Sequence, residues 1–354
     1  MPHDIAQHSR SVLERLPTWL ICIPLTVQWL GLTLRYGSAT LPSVANPNIT
    51  AGGLVGEGKL EYFQAMGSTA QATIARHFAI HNTNSYSIAD LQQQMISAGL
   101  SFPVIAKPNL GLCGYGVRLV VNIQELSDYL HTFPVDEVVV IQEYLPDDGE
   151  AGVFYARHPN EAHGQIIGLT LRHYPQVIGD GKSSISELIQ RNPRAQRLFR
   201  SQQHQCNYPT DDIPAEGQVV RLATIGSTRV GGLYQDGARY ITPPLTQAFD
   251  AIARDMPHFY FGRFDVRFSS LAELSNGQQF KIMEINGAGS EAIQAWDPDT
   301  SLFRAFRIIF AKQRLLFAIA AANRAKGYRP ISLWRLARLH FRQRKLIKYY
   351  PPSN

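Results

Sequence analysis

The sequence predicts an α+β fold, with strand pairs in the middle of the chain and helices toward its ends. Two short runs that mix apolar and polar residues, 261–268 and 280–286, indicate neighbouring strands. A second pair of strand-like runs flanks a glycine-rich loop within residues 102–120. Helical patterns occupy residues 301–327 and 331–350. The chain of 354 residues is long enough to bury a core in two or three domains.

Three polar residues in the first strand pair carry the most chemical information: Asp265, Glu284 and Asn286. Glu284 and Asn286 are two positions apart and share a strand face, and antiparallel pairing would place Asp265 beside them. The turn-rich stretch 274–277 would join the two strands. Three oxygen ligands suit a hard cation such as Mg²⁺, which takes the rest of its shell from water and phosphates. An ordinary hairpin with a polar face is the alternative.

A phosphate-binding loop is predicted upstream. Lys107 lies at the end of an apolar run and just before a glycine-rich segment. In such a segment, backbone N–H groups can approach an anion closely. The run 138–144 then predicts a buried strand, which leads into a hinge and the carboxylate of Glu150. The glycines of the loop are Gly111, Gly114 and Gly116.

Taken in order, these segments resemble the ATP-grasp superfamily, most closely D-alanine–D-alanine ligases and the ligase half of cyanophycin synthetase. The resemblance extends over roughly residues 55–300, and it includes the segments 177–189 and 227–232. It implies the ATP-grasp fold, in which two α+β subdomains grip ATP. It also implies an enzyme that forms a C–N bond and produces ADP and phosphate.

The resemblance assigns roles to residues on the nucleotide side. Lys107 and the loop glycines would hold the phosphates, and Glu150 would bind the ribose hydroxyls. Backbone groups of the hinge would hold adenine; the matching residues are Gln142, Glu143, Tyr144 and Leu145.

The same resemblance assigns the metal and catalytic groups. Asp265, Glu284 and Asn286 would bind two Mg²⁺ ions, for which Mn²⁺ could substitute. Arg263 would face the reacting phosphate as a catalytic residue together with Lys107. Arg221 is a further catalytic candidate, because it falls in a segment that lines the substrate side in related ligases. Three other cations fall in such segments, with ordinary surface salt bridges as the alternative for each: Arg172, Lys182 and Arg229.

Two motifs that imitate other nucleotide sites are set aside. Residues 53–60 match G-x-x-x-x-G-K, but Leu60 stands where Ser or Thr should ligate magnesium. Lys59 is then either a first phosphate lysine at the start of a helix or a plain solvated lysine. Residues 287–292 imitate a dinucleotide fingerprint, but no acidic residue follows Asp299. This turn would instead line the acceptor pocket.

The predicted organisation has four parts. Residues 1–100 form a helical and irregular region, and residues 101–148 form the small nucleotide-covering subdomain. Residues 149–300 form the larger subdomain with the metal site, and residues 301–354 form basic C-terminal helices. No tract of low complexity and no internal repeat interrupts this order.

Positive charge is concentrated at the C-terminal end of the chain. Residues 300–354 contain 13 Lys and Arg and no acid, and since the whole chain carries +6, the first 299 residues carry −7. An acidic body without aromatic–basic repeats argues against nucleic-acid binding. The basic helix in 331–354 and the uncharged run 16–34 are each candidates for peripheral membrane contact, against the alternative of packing on the body. The scattered cysteines Cys22, Cys113 and Cys206 fit a reducing, cytoplasmic compartment, with attachment at the inner membrane face as a variant.

The function that the resemblance implies is an ATP-dependent carboxylate–amine ligase that works through an acylphosphate on amino-acid-like substrates. The expected partners are a small carboxylate and a small amine, with a homodimer as a candidate assembly. Two alternatives stay open. One is a phosphotransferase or a carboxylate–thiol ligase on the same fold, and the other is a non-catalytic, membrane-associated nucleotide-binding protein.

Overall fold

The computed structural model describes residues 10–64, 66–83, 85–200 and 210–354. Cys206 lies outside these ranges. The N-terminal part is helical, with 3₁₀ turns at Leu41–Val44 and Thr50–Gly53. Its helices are α1 (Val12–Arg15), α2 (Thr18–Tyr36), α3 (Lys59–Gln64) and α4 (Ser68–Thr73).

A four-stranded antiparallel sheet with two helices forms the smaller unit. The strand order is β1-β4-β2-β3, and two amphipathic helices bury Leu91, Leu126 and Tyr129 against it. Its elements are β1 (His77–His81), α5 (Ile88–Ser97), β2 (Val104–Pro108), β3 (Arg118–Val120), α6 (Ile123–Thr132) and β4 (Val138–Glu143).

The first strand of this sheet changes the predicted division of the chain. β1 and α5 lie inside residues 1–100, which were expected to hold only helices and loops. β1 pairs with β4 from His77↔Gln142 to His81↔Val138, so the small unit begins well before residue 101. The run HFAIH is short and carries a histidine at each end, so it gave little strand signal.

A five-stranded antiparallel sheet forms the larger unit, in the order β11-β10-β5-β6-β9. Phe249 and Phe264 belong to the apolar core on one sheet face, where α9 packs. The elements are β5 (Gly149–Ala156), β6 (Gln165–His173), β9 (Leu233–Asp236), α9 (Pro243–Arg254), β10 (Phe261–Phe268), α10 (Leu271–Ser275) and β11 (Phe280–Asn286). Helix α10 occupies part of the stretch expected to be a plain turn.

Two further groups of elements complete the description. A small two-stranded sheet carries its own helices over a separate apolar cluster; it comprises β7 (Gln176–Ile178), α7 (Ile185–Arg191), α8 (Gln196–Arg200) and β8 (Val219–Arg221). The C-terminal helices are α11 (Leu302–Ala325) and α12 (Leu333–Ile347). Their starts are capped by Ser301 and Ser332, whose hydroxyls accept N–H bonds from the first turn.

The predicted α+β class is therefore confirmed, with helices at both ends and two main sheets between them. The long helix α2 packs along α11, where Trp29 meets Phe317 edge to face with ring centroids 4.9 Å apart. Among the described residues, no helix has the length and apolar character needed to cross a bilayer.

Candidate active site

The three predicted metal ligands lie side by side on the sheet face opposite α9. β10 and β11 pair antiparallel, with Asp265 opposite Glu284 and Arg263 opposite Asn286. The Asn286 side-chain amide donates to Asp265 Oδ2 over 3.1 Å. The predicted pairing of the two strands is confirmed, and the role of these residues as metal ligands stays a prediction.

A β-bulge shapes the sheet at this point. Asp265 pairs with Glu284 and the next residue, Val266, pairs with Ile282, so Met283 is the extra residue on β11. Its carbonyl oxygen accepts hydrogen bonds from Lys107 Nζ at 2.9 Å and from Gln142 Nε2 at 3.2 Å. Hydrogen bonds to the bulge thus link the small sheet to the larger one, directly beside Glu284.

Lys59 belongs to this cluster and is not a solvated lysine. Its side chain is 8% exposed, and its ammonium lies 3.2 Å from Glu284 Oε1. The start of α3 is held against the start of the glycine-rich loop, because the Lys59 N–H donates to the Asn109 carbonyl oxygen. A side chain at Gly111 would come within 2.5 Å of Lys59 Nζ, so the lysine side chain would have to move to make room for it.

The predicted metal ligands are neutralised by cations of the protein itself. Arg263 donates two hydrogen bonds to the Asp265 carboxylate, of 2.6 and 3.0 Å. Burial would raise the pKa of the Glu284 carboxyl, but the charges of Lys59 and Lys107 outweigh it and lower that pKa to about 2. The Glu284 carboxylate is therefore held ionised, in the form that a metal ion requires.

The donor set fits a hard cation that shares its shell with phosphate. It offers two carboxylates and an amide oxygen on one rigid sheet face. In the described part of the chain, no three side chains of His, Cys, Asp or Glu are grouped to hold a metal by themselves. Exogenous oxygens, such as those of a triphosphate, would therefore have to complete the shell.

Lys107 joins the two sheets at the centre of the cluster. It is buried, and its ammonium donates to Gln142 Oε1 at 2.7 Å as well as to Met283. Burial lowers the pKa of this lysine to about 7, although the nearby Glu284 favours its charged form. An anionic ligand at this position would restore the full charge.

The loop after Lys107 has the backbone expected of a glycine-rich hairpin. Gly114 and Gly116 have φ angles of +75° and +73°, in the left-handed region that favours glycine. β2 and β3 flank the loop as predicted, with Val104 paired to Val120. The structure thus brings Gly111 against Lys59, and it places the other two glycines at the turns of the loop.

Glu150 lies in a buried ionic cluster and not at an open edge. Its carboxylate is 2.9 Å from Arg172 Nη1 and 3.7 Å from Arg267 Nε, and it accepts a hydrogen bond from the Tyr174 hydroxyl. Burial raises the pKa of Glu150, but Arg172 and Arg267 outweigh it and hold the pKa below its usual value. To bind a ribose, this carboxylate would have to share or exchange these contacts.

The remaining predicted residues divide between the site and its surroundings. Glu143, next to Gln142 in β4, points to Arg76 and receives two hydrogen bonds from it, of 2.7 and 2.9 Å. Tyr144 and Leu145 follow the strand in partly buried, irregular backbone, as expected of a hinge. Arg221 stacks on the Tyr174 ring at 3.3 Å from its centroid and donates to the Ala223 carbonyl oxygen. It therefore reaches the Glu150 cluster through Tyr174, and its catalytic role stays a prediction.

Arg172 is the most important residue whose position the sequence did not reveal. Its Nη1 lies 2.9 Å from Glu150 and 3.3 Å from Asp265, so one guanidinium links the proposed ribose and metal carboxylates. The resemblance places Arg172 only in a segment that lines the substrate side in related ligases, and the structure places it on β6. Only three-dimensional pairing of β5, β6 and β10 brings these residues together.

The C-terminal segment folds over the glycine-rich loop and is not a free tail. Gln343 of α12 donates to the Gly111 carbonyl oxygen at 2.9 Å, and the Tyr350 hydroxyl donates to the Leu110 carbonyl oxygen at 2.7 Å. Asn354 exchanges hydrogen bonds with the backbone of Leu119. The loop is thus held from outside by contacts with residues 343–354.

Tyr350→Phe is expected to loosen this loop without disturbing the packing beneath it. The variant loses the bond to Leu110, while the ring stays stacked on Phe133 at 5.2 Å. We expect amide hydrogen exchange across residues 110–119 to speed up, with a loss of about 1 kcal/mol in local stability. Tyr349→Phe is the matched control, because Tyr349 is 62% exposed. Equal exchange in both variants would show that the contact does not restrain the loop.

Solved structures similar to this chain are ligases and synthetases. A bifunctional glutathione synthetase from Pasteurella multocida is 18% identical with a TM-score of 0.40, over 77% of this chain and 38% of that one. The VanG D-Ala:D-Ser ligase from Enterococcus faecalis is 13% identical with a TM-score of 0.41, over 77% and 62%. A D-alanine–D-alanine ligase from Bacillus anthracis is 12% identical with a TM-score of 0.39, over 73% and 67%.

This chain thus spans well under two thirds of the glutathione synthetase and slightly less than two thirds of the D-Ala:D-Ser ligase. No family model and no curated protein matches the sequence.

Proposed function

We propose that this protein is an ATP-grasp enzyme that uses ATP to join a carboxylate to an amine. The observation that carries the proposal is the convergence of four elements on one point. β10 and β11 supply three oxygen ligands, while β2 and the start of α3 supply two lysines within 3.2 Å of β11. Oxygen ligands beside phosphate-binding cations are what magnesium-dependent phosphoryl transfer requires.

The chain's own cations have a defined part in this proposal. Arg263 and Lys59 neutralise Asp265 and Glu284 in the free protein. Bound Mg²⁺ would take over that neutralisation and polarise the phosphates. The two side chains would then be available for the oxygens of the transferred phosphoryl group, where charge develops.

The reaction would proceed in two steps. The substrate carboxylate attacks the γ-phosphorus of ATP, which forms an acylphosphate and releases ADP. The amine then attacks the acyl carbon, a C–N bond forms, the C–O bond to phosphate breaks, and the amine loses a proton. The glycine-rich loop after Lys107 would exclude water from the acylphosphate.

The substrate side is proposed to lie along the same sheet face. A cavity of about 420 Å³ opens between this face and α11, next to the loop that follows β11. Its wall is apolar at Phe154 and Ile308 and cationic at Arg307 and Lys312, and the carboxylate of Asp236 in this wall is paired with Arg304 at 2.9 Å. Lys312 donates to the Ala288 carbonyl oxygen at 3.2 Å, which links the cavity to the end of β11. An acid with an apolar side chain fits this lining.

The proposal is tested by measuring products with Mg²⁺, ATP and panels of amino acids and dipeptides. We expect ADP and free phosphate to be released together, and only when both an acid and an amine are present. Phosphate that stays on the product would indicate a phosphotransferase, and a thioester product would indicate a thiol ligase. Tight ATP binding without turnover across the panels would favour the non-catalytic alternative.

ATP binding is expected to take up protons at alkaline pH. The pKa of Lys107 is lowered to about 7 by burial, so at pH above about 8 most of this lysine is neutral in the free protein. The phosphates favour its charged form and raise the pKa, so binding should take up close to one proton at about pH 8.5. The uptake should fall toward zero below about pH 6, where Lys107 is already protonated.

Calorimetry in buffers with different ionisation enthalpies measures this uptake directly. Lys107→Met, studied at saturating nucleotide, should lose the proton uptake at alkaline pH. The same proton uptake in Lys107→Met and in the wild type would show that Lys107 does not contact the phosphates.

A further inference from the structure

Helix α2 presents a continuous apolar stripe to solvent. Five of its side chains are more than half exposed: Trp19 (65%), Ile23 (52%), Val27 (64%), Leu30 (56%) and Leu34 (85%). Their spacing of four, four, three and four residues places them on one helix face. Solvent-exposed apolar residues are usually scattered singly, and a contiguous stripe over nearly the whole of a helix marks an interaction surface.

The opposite face of α2 is already used for packing inside the protein. Ile21 and Leu32 are buried, and Trp29 packs on Phe317 of α11. Gln28 donates to the Phe310 carbonyl oxygen at 2.9 Å, which fixes α2 alongside α11. The stripe is therefore held in place by the fold, and α2 is not a loose segment.

Positive charge borders the stripe on several sides. Arg15 precedes α2 and Arg35 lies in its last turn, and both are exposed. On the neighbouring α11, Arg307 and Arg314 are exposed and share a helix face with Phe303, which is 78% exposed. No acidic residue occurs in α2, in α11 or in the chain beyond them.

We propose that this surface, the exposed faces of α2 and α11, docks on an anionic lipid bilayer. An apolar stripe with cations beside it matches the interface of such a bilayer, where side chains enter the acyl boundary and arginines meet the headgroups. Pairing of two copies through the same surface would instead bring the arginines of one copy against those of the other. The charge pattern therefore favours lipid over a second copy of the chain.

The test is co-sedimentation of the full-length protein with vesicles of phosphatidylcholine alone and of phosphatidylcholine with phosphatidylserine. We expect binding to the anionic vesicles that weakens as salt is raised, and much weaker binding to the neutral ones. Arg307→Glu with Arg314→Glu should abolish the preference for anionic vesicles. Absence of binding at low ionic strength overturns the proposal.

Variants of the stripe distinguish it from other surfaces. Val27→Asp with Leu34→Asp should lower the bound fraction at least tenfold, since charged groups resist entry into the acyl region. Ile96→Asp is the matched control, because Ile96 is 70% exposed on α5, and it should bind like the wild type. All these positions are exposed, so folding should be unaffected, as circular dichroism would check.

Two outcomes would assign the stripe or the membrane contact differently and overturn the proposal. Trp334 and Phe341 of α12 are also exposed, at 80% and 70%. If replacing both with serine abolishes vesicle binding while the α2 variant still binds, the membrane contact belongs to α12. If analytical ultracentrifugation shows a dimer that Val27→Asp with Leu34→Asp dissociates, the stripe is an interface between copies.

Discussion

Glu284→Gln is expected to lower magnesium-dependent ATP turnover by about 100-fold or more. The change keeps the shape of the side chain and removes the charge that would hold the metal next to the phosphates. It also removes the partner of Lys59, which lies 3.2 Å away. Steady-state release of ADP at saturating ATP and magnesium measures the effect.

Glu284→Gln should lower ATP turnover because it impairs the chemical step, and not because the protein unfolds. The Glu284 side chain is 35% exposed, but Lys59 is only 8% exposed and loses its partner, so a cost of up to about 3 kcal/mol in the free energy of unfolding is expected. Circular dichroism at the assay temperature checks that the variant is folded while turnover is measured. Glu161→Gln is the control, because Glu161 is exposed on the turn between β5 and β6. Undiminished turnover in Glu284→Gln would remove Glu284 from the metal site.

Asn46→Ala is expected to destabilise the protein by roughly 3 to 5 kcal/mol. Asn46 is fully buried, and its side chain makes four hydrogen bonds to backbone groups. It accepts from the N–H groups of Tyr260 and Phe261, and it donates to the carbonyl oxygens of Gly52 and Phe261. Alanine would leave the N–H groups of Tyr260 and Phe261 without this buried acceptor at the start of β10, whereas the Gly52 carbonyl oxygen would keep its bond from the Ala288 N–H. Urea unfolding measures the change.

Asn48→Ala provides the comparison for Asn46→Ala. Asn48 lies two residues away on the surface and makes a single longer bond, of 3.3 Å to Pro257. Its replacement should change the free energy of unfolding by no more than about 0.5 kcal/mol. Similar small effects in both variants would mean that the N-terminal region is not anchored to β10 through Asn46.

The local sequence pattern was sufficient to predict the two central strands, β10 and β11. The predicted runs 261–268 and 280–286 are the observed bounds of β10 and β11, because each run is short, mixes apolar with polar residues and is bounded by residues that end a strand. The adjacency of Asp265 and Glu284 then follows from antiparallel pairing alone. The bulge at Met283 was not predictable, because it depends on how β10 and β11 fit together.

Contacts between segments that are far apart in the sequence could not be predicted from local sequence patterns. Arg172 bridges Glu150 and Asp265, which lie 115 residues apart in the sequence, only because β5 lies between β6 and β10. The basic C-terminal helix was expected to pack on the body or to meet a membrane. Its amphipathic pattern is compatible with either partner, and only the folded chain shows Gln343 at the glycine-rich loop.

The metal and nucleotide assignment can be tested most directly with a crystal of the protein grown with Mn²⁺ and a non-hydrolysable ATP analogue. We expect anomalous density for Mn²⁺ within about 2.5 Å of oxygens of Asp265, Glu284 and Asn286, with Lys59 and Lys107 at the phosphates. Manganese or nucleotide bound elsewhere, with Glu284 still paired to Lys59, would contradict the proposed active site.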